Sequence, residues 1–515
     1  MAVPTLGLLN YTLLTAADAS TGWTLFTTAD ADLKKEGANS MSGIFRATLA
    51  SAYYTNGTPI SADGKHIRIW LMTNNLPYMS SVANGGYELL VYDGSTTGYK
   101  TLFGSDTYQG GWFNGVVDSS LVTGITLSNA TRWGVRCHHD SSAKNAVNTW
   151  IDRICYLDGY YLTGGTSGDC ITLSTISTAD KGTTVLYGYG VVTTIDGVYF
   201  CTGKLVIGNG ATTTYFKMEN DVLVFTDQMV ASGLYQITGV GSGCHILINN
   251  STIKSSGTTD NTRFVIDMSD ANIASCVITN SVFLRAGNCV FLAGQTITGN
   301  TFNGCSQITH GGADMVNCSF SAYEGAADSS SMIYNVATNP KDYIKGCKFT
   351  KGTASTHAIQ FGINTPITIN IENVIFSGYN ASNGANDSTL YFSDKGSDTT
   401  WTINCSECSG NISYKKERVG DVVNIVIPET VLTLVGLQTG SDISILTAST
   451  TTERVNVQEN TGTTYPYNYT YSVDDYIDIG VFKVGYIPFY IRNYLLGSTN
   501  SNIPISQVMD RAYLE

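Results

Sequence analysis

The segment Ile278–Phe283 reads Ile-Thr-Asn-Ser-Val-Phe, and its pattern recurs six more times along the middle of the chain. An Ile or Met is followed after two residues by Asn or Gly, or by Cys in the last segment, and after three more by an apolar residue. The seven segments are Ile248/Asn250/Ile253, Ile278/Asn280/Phe283, Ile297/Gly299/Phe302, Met315/Asn317/Phe320, Ile344/Gly346/Phe349, Ile371/Asn373/Phe376 and Ile403/Cys405/Cys408. Their closing residues lie between 18 and 32 positions apart, which indicates a repeat architecture.

The middle position explains why the pattern holds. Strand side chains alternate, so two inward residues normally lie an even number of positions apart. The first and last residues of each segment lie five apart, so the chain must bend between them. Asn and Gly tolerate the left-handed backbone that such a bend needs. Each segment therefore predicts a strand, a one-residue corner and a second strand, with both apolar residues facing inward.

A further apolar strand recurs between the segments. It is found at Phe264–Ile266, Val290–Leu292, Met332–Tyr334, Ile359–Phe361 and Leu390–Phe392. Two or three short strands per coil predict a right-handed parallel β-helix in which identical inward residues stack in ladders. The position before the second strand is mostly small, as at Ser251, Ser281, Cys318, Cys347 and Ser406, and predicts a tight interior corner. Less regular apolar runs upstream, including 185–192 and 222–225, place the first coils near residue 165.

The β-helix is expected to occupy residues 164–419, between two other β modules. Residues 1–163 contain alternating strands such as His66–Leu71 and Thr149–Tyr156, and predict an antiparallel β-sandwich. With the run Lys35–Met41, these strands resemble the jelly-roll of carbohydrate-binding modules, which implies a jelly-roll fold for this module. Residues 420–515 begin with the run Val422–Ile427 and predict a small β-sandwich. Its tail is expected to form a strand or loop and then a helical turn capped by Ser506, docked on a neighbouring subunit.

Composition supports an all-β chain. Only 13% of the 515 residues are charged, against roughly 25% in a typical soluble protein, so the outer faces of long solvated helices cannot be supplied. The formal net charge of −13 disfavours nucleic acid as a partner. No apolar stretch is long enough to predict a membrane span. The N-terminus lacks the basic region of a signal peptide, so we expect none. The 12 cysteines are expected to be buried free thiols, which implies assembly in a reducing compartment.

The order of modules, the Asn/Gly corners and the run Val481–Phe489 resemble virion structural proteins of tailed bacteriophages, namely fibres, spikes and decoration proteins. The resemblance covers nearly the whole chain as architecture. It implies a homotrimer assembled in the host cytoplasm, located in the virion, bound to other capsid or tail proteins and to a host surface glycan.

Some phage spikes cleave polysaccharides with two carboxylates, so paired acids are the first chemistry to seek. The candidates on the coils are Asp267, Asp270, Asp314, Glu324, Glu372, Asp394 and Glu407. Aligned on the repeat, Glu372 and Glu407 each lack a second acid in their own column, which favours solvated surface charges. A pair formed between different columns or between subunits stays open.

Other clusters point to no cofactor and no metal site. Alternation along a strand would separate the side chains of Cys137-His138-His139-Asp140, so they cannot converge on one ion. Among the remaining histidines, His245, His310 and His357 have no Ser or Cys at the spacing of a known motif. Cys405 and Cys408 form a CxxC without the second pair that a four-cysteine zinc site needs. The sequence therefore favours a non-enzymatic virion structural protein, with a polysaccharide-degrading tailspike as the alternative.

Overall fold

The computed structural model describes residues 5–35, 37–46, 49–139, 146–181, 188–210, 212–226, 236–256, 263–323, 325–326, 328–427, 429–472, 474–510 and 512. Within them the protein is all-β, as predicted. The chain divides into two compact units, Met1–Thr296 and Ile297–Glu515. None of the helices in the described ranges has the length and apolar character needed to cross a bilayer.

The first unit begins with strands that are mainly antiparallel. They are β1 (Thr5–Leu9), β2 (Thr12–Thr15), β3 (Thr28–Asp30), β4 (Ser40–Phe45), β5 (Leu49–Thr55), β6 (His66–Thr73), β7 (Tyr87–Tyr92), β8 (Thr97–Phe103), β9 (Phe113–Asp118), β10 (Arg132–His138), β11 (Val147–Tyr156) and β12 (Gly159–Thr163). Two antiparallel sheets, β5-β10-β7-β8 and β3-β4-β11-β6-β9, enclose one core that includes Phe26, Phe45, Trp133 and Tyr156. Short 3₁₀ turns lie at Leu76–Tyr78, Val82–Asn84, Ser119–Leu121 and Leu127–Asn129.

The pairing becomes parallel after β12. A helix, α1 (Leu173–Lys181), is followed by β13 (Val192–Ile195), β14 (Val198–Cys201), β15 (Lys204–Gly210), β16 (Thr214–Glu219), β17 (Val222–Phe225), β18 (Gln236–Gly241), β19 (Cys244–Asn249), β20 (Thr252–Ser255), β21 (Val265–Asp267), β22 (Ser275–Thr279), β23 (Val282–Leu284) and β24 (Val290–Leu292). Every third strand pairs, giving the parallel sheets β12-β15-β18-β21-β24, β14-β17-β20-β23 and β16-β19-β22. The chain therefore visits three sheets in turn, as a stacked coil requires. Of the upstream run 185–192, residues 185–187 lie outside the described residues.

The second unit repeats this order. Its coil strands are β25 (Thr296–Thr298, which straddles the division), β26 (Thr301–Asn303), β27 (Ile308–Gly311), β28 (Asp314–Val316), β29 (Ser319–Tyr323), β30 (Ser330–Tyr334), β31 (Ile344–Lys345), β32 (Lys348–Lys351), β33 (His357–Phe361), β34 (Thr368–Glu372), β35 (Ile375–Ser377), β36 (Leu390–Phe392), β37 (Thr400–Ser406), β38 (Tyr414–Lys416) and β39 (Val422–Val426), with a 3₁₀ turn at Pro340–Asp342. The parallel sheets are β27-β30-β33-β36-β38, β26-β29-β32-β35, β28-β31 and β34-β37-β39.

The inward ladders form as the repeat predicts. Within the second unit, Phe302, Phe320, Phe349 and Phe376 are at most 2% exposed. Their successive ring centroids lie 5.1, 4.7 and 5.8 Å apart. The corner residues are left-handed, with φ of 50° at Asn280 and 53° at Asn317. The odd spacing of the apolar residues thus identified the bends correctly in the first six segments.

The small corner residues also bond neighbouring coils. The Ser251 amide donates to Ser281 Oγ at 3.2 Å. Where the position is a cysteine, the thiol donates to a carbonyl of the preceding coil, as Cys318 Sγ does to Ile297 O at 3.3 Å. Cys347 Sγ lies 3.8 Å from Met315 O in the same arrangement. Hydrogen bonding explains why serine and cysteine suit this position.

The seventh segment was aligned wrongly by two residues. Ile403 pairs with Ile369, and Cys405 pairs with Ile371. Trp401, Ile403 and Cys405 alternate inward without a break, so the bend falls at Glu407, whose φ is 54°. Cys408, and not Ser406, therefore takes the small corner position. Its Sγ donates to Ile371 O at 3.5 Å.

The last strands form a separate core. They are β40 (Thr430–Val435), β41 (Ser441–Thr447), β42 (Glu453–Asn460), β43 (Thr464–Tyr469), β44 (Tyr476–Phe482), β45 (Phe489–Leu495) and β46 (Ser501–Pro504). Two sheets, β43-β40-β46 and β42-β41-β44-β45, bury residues such as Leu434, Ile445 and Ile479. The run Val422–Ile427 was expected here, but β39 pairs in parallel with β37 and so belongs to the coil.

The predicted cap at Ser506 is wrong, because residues 506–510 are not helical. Ala512 has 3₁₀-helical backbone, and its neighbours 511 and 513–515 lie outside the described residues. Gln507 Oε1 instead accepts hydrogen bonds from the Gln438 amide at 2.7 Å and from Ser441 Oγ at 2.9 Å. The described part of the tail is thus anchored on its own module.

Candidate functional site

Most of the candidate acids on the coils are engaged by other groups. Asp270 accepts hydrogen bonds from the Gly241 amide at 2.7 Å and the Asn272 amide at 2.9 Å. These backbone donors, Asn272 first, lower the pKa of the Asp270 carboxyl. Asp267 accepts from Gln236 Nε2 at 3.2 Å. Such contacts hold loops in place.

Ion pairs engage two more acids. Asp314 lies 3.4 Å from Lys345 Nζ, and Asp394 lies 3.3 Å from the Arg418 guanidinium. Glu324 lies outside the described residues.

Glu372 and Glu407 lie closer together than the sequence alignment suggested. In the corrected register Glu372 pairs with Ser406, which precedes Glu407. The two glutamates are therefore diagonal neighbours on adjacent coils, where a strand spacing of about 4.8 Å and a rise of about 3.3 Å per residue apply. Glu372 is exposed and Glu407 half-buried, so both can be reached by solvent.

The cysteine–histidine run alternates as predicted. Cys137 and His139 are buried, whereas His138 is half-buried and lies 2.8 Å from Glu88. His139 stacks on Tyr78. Asp140 lies outside the described residues. Across the described part of the chain, no three His, Cys, Asp or Glu side chains gather as metal ligands would.

Two of the remaining histidines do contact serines, one coil away. His245 Nδ1 lies 2.9 Å from Ser275 Oγ, and His245 stacks on Tyr215. Partners on adjacent coils are separated in the sequence by the length of a coil. The short spacings of known motifs therefore do not indicate them.

His357 lies between Ser388 and Asp328. Its Nδ1 donates to Ser388 O at 2.6 Å, and its Nε2 is 3.7 Å from Asp328. Ser388 and His357 are fully buried, so no substrate reaches this serine. Burial also lowers the pKa of His357, and it lowers that of His310 to about 4. Both imidazoles are therefore neutral structural groups near pH 7.

A cavity of about 80 Å³ in the first unit has charged groups at its rim. It is lined by Lys35, Trp70, Asp180, Lys181 and Thr193, together with residues of the segment 188–192. The Lys35 ammonium lies 4.6 Å from the centre of the Trp70 ring. We call this recess the lysine–tryptophan cavity.

Two buried carboxyls support the lysine–tryptophan cavity. Asp180 accepts hydrogen bonds from Tyr160 Oη at 2.6 Å and from the Gly190 and Val192 amides at 3.1 and 2.8 Å. Asp152 accepts from the Lys35 amide at 2.5 Å. Burial raises the pKa of both carboxyls, to about 7 in Asp152. These acids hold the walls in place, since they are only 2% and 1% exposed.

The chain shows distant likenesses to the following solved structures. The Agl-KA catalytic domain is 11% identical, with a TM-score of 0.20, over 82% of this chain and 99% of that one. The catalytic unit of a GH87 α-1,3-glucanase from Streptomyces thermodiastaticus is 12% identical, with a TM-score of 0.17, over 81% and 95% of the two chains. Likenesses at these scores carry no argument about activity. No protein-family model and no curated protein matches the chain.

Proposed function

We propose that the protein is a non-enzymatic structural protein of a bacteriophage virion, in a fibre, spike or decoration role. In this proposal residues 1–163 form a jelly-roll, the coils a right-handed parallel β-helix, and the remainder a small β-sandwich. Its partners are two further copies of itself, other virion proteins and a host surface glycan. It is assembled in the host cytoplasm and located in the virion.

The proposal rests on the bonding partners of the acidic residues on the coils. Asp270, Asp314 and Asp394 bond to backbone amides or to cations, and the inward residues form long ladders. Carboxylates that fix loops and coils in this way suit a protein with a mechanical role. Paired backbone groups and stacked rings favour a stiff scaffold.

Self-association is supported by apolar side chains on the C-terminal module. Val484 is 86% exposed, Ile487 52% and Val508 59%. The Ile487 amide donates to Val508 O at 2.8 Å, so these two residues lie side by side. Exposed apolar groups that cluster in this way commonly mark protein interfaces.

Two measurements test the proposal. Antibody labelling of phage particles from a host that carries this gene should decorate the virion, whereas unlabelled particles would contradict a virion location. Light scattering of the purified protein should give three times the chain mass of 55.2 kDa. A Val484→Asp/Val508→Asp double variant should shift it to the monomer, with the exposed Ile363→Asp as the control.

Glycan hydrolysis is the second candidate, because Glu372 and Glu407 are diagonal neighbours that solvent reaches. A pair of carboxyls on one face could supply an acid and a base or nucleophile. Purified protein would then release reducing ends from host capsule or lipopolysaccharide, and Glu372→Gln and Glu407→Gln would each abolish release. An Asp314→Asn control should retain it. Release unaffected by either glutamine variant would refute this pair.

A further inference from the structure

The lysine–tryptophan cavity has two cations at its rim. Among the described residues, neither the Lys35 nor the Lys181 ammonium is ion-paired with a carboxylate. The chain carries 41 acids and only 28 Lys and Arg residues, so unpaired cations that share one recess are a departure from its general charge. They create a local positive potential that attracts anions.

The walls of the cavity are already held in position. Trp70 Nε1 donates to Gly188 O at 2.9 Å, and Asn114 Nδ2 donates to Gly190 O at 3.1 Å. Gly190 has φ of 68°, and a Cβ there would lie 2.7 Å from Trp70 Cζ2. A side chain at this position would therefore collide with the indole. A site held in this way loses little freedom when a ligand enters.

The chemistry of the lining selects the ligand. Lys35 and Lys181 supply charged donors, Thr193 supplies a hydroxyl, and the indole edge of Trp70 supplies an apolar surface. Asp180 also lines the cavity, but its carboxyl oxygens accept hydrogen bonds from Tyr160 Oη and from the Gly190 and Val192 amides. Pyranose rings pair apolar C–H faces with polar hydroxyls, and aromatic side chains with a wet, polar edge suit such faces. A volume of about 80 Å³ accommodates a carboxylate and its water, with the ring at the mouth.

We infer that the lysine–tryptophan cavity binds the carboxylate end of an acidic saccharide, such as a hexuronic acid of a surface glycan. This deepens the proposed glycan attachment and rests on it. The carboxylate lies between the two ammonium groups, and the sugar ring meets the edge of the indole. Because the lysines are exposed, binding weakens as salt screens their charge.

Saturation-transfer NMR on the purified full-length protein tests this site with sodium glucuronate as the probe. Glucose serves as the uncharged ring and acetate as the anion without a ring. Glucuronate should give a saturable signal stronger than either. Lys35→Gln and Lys181→Gln should each weaken affinity about twofold to fivefold, as exposed charge pairs do. Lys34→Gln is the matched control, because Lys34 is the exposed neighbour whose ammonium instead bonds Ala38 O at 2.9 Å.

Several outcomes would overturn the inference. They are equal binding of glucose, equal competition by acetate, or glucuronate binding unchanged in a Lys35→Gln/Lys181→Gln double variant whose circular dichroism is that of the wild type. Should the double variant misfold, the charge-retaining Lys181→Arg and the single Lys181→Gln decide, since only the second should weaken binding. The proposed function fails separately, because particle labelling does not depend on glucuronate binding.

Discussion

Replacing Phe320 by alanine tests the stacked interior most directly. Phe320 is 2% exposed, and its ring lies between those of Phe302 and Phe349, at 5.1 and 4.7 Å. Removing a buried phenylalanine side chain costs about 3–5 kcal/mol of unfolding free energy. Phe376 is equally buried, and its ring centroid lies 5.8 Å from that of Phe349. Phe376 is the last of the rings described in this ladder, so it has one stacked neighbour there. Because a stacked pair contributes about 0.5–1.5 kcal/mol beyond burial, Phe320→Ala should be more costly than Phe376→Ala by that amount.

Hydrogen exchange measured by mass spectrometry is the suitable assay, because it reports the stability of individual coils in a chain with several cores. Peptides covering β29 and β32 should lose protection in Phe320→Ala. Ile363→Ala is the surface control, since Ile363 is 64% exposed and such changes stay within about 0.5 kcal/mol. The ladder would be refuted if Phe320→Ala were no more destabilising than Ile363→Ala.

Three further predictions follow from local features. Asn317→Ala should cost about 1–2 kcal/mol because φ is 53°, and Asn317→Gly should cost less; equal thermal unfolding of the two variants would contradict the corner. A thiol reagent should label native Cys170 first, since the other 11 cysteines are buried and burial raises the pKa of Cys276 to about 12; rapid labelling of several thiols would contradict the packing. The raised pKa of Asp152, about 7 when folded, means that its stabilising contribution is present below pH 4 and is lost as pH rises to 7. Urea denaturation at pH values from 4 to 7 should therefore show a smaller loss of unfolding free energy in Asp152→Asn than in the wild type. An equal dependence of unfolding free energy on pH in the two proteins would refute this.

The coil was predictable because the positions of its corners are determined by residues that lie close together in the sequence. An odd spacing between two apolar residues forces a bend, and Asn or Gly marks where it falls, as at Asn280 and Asn317. The seventh corner has neither residue, so only the unbroken alternation of Trp401, Ile403 and Cys405 could have located it. The assignment of the run Val422–Ile427 to the last module failed for a related reason, because the sequence of an apolar strand does not show which strand it pairs with.

The lysine–tryptophan cavity could not be predicted from sequence. Lys35 comes from a loop before β4, Trp70 from β6, and Lys181 from the end of α1, and no local spacing joins them. The closeness of Glu372 and Glu407 was missed because it depends on the register of two coils, which the Cys405 misassignment displaced by two residues. The side-chain partners that matter here are set by stacking, whose spacing varies with the length of each coil.

The direction of the backbone hydrogen bonds in β29, β32 and β35 has a mechanical consequence. These bonds join each coil to the next, so a tensile load applied along the stacking direction strains them end-on. Such a load opens one rung at a time, and each rupture frees one coil's length of slack chain. A load applied across the rungs must instead shear many bonds at once. This sheet is therefore expected to resist a load across the rungs better than a load along the stacking direction.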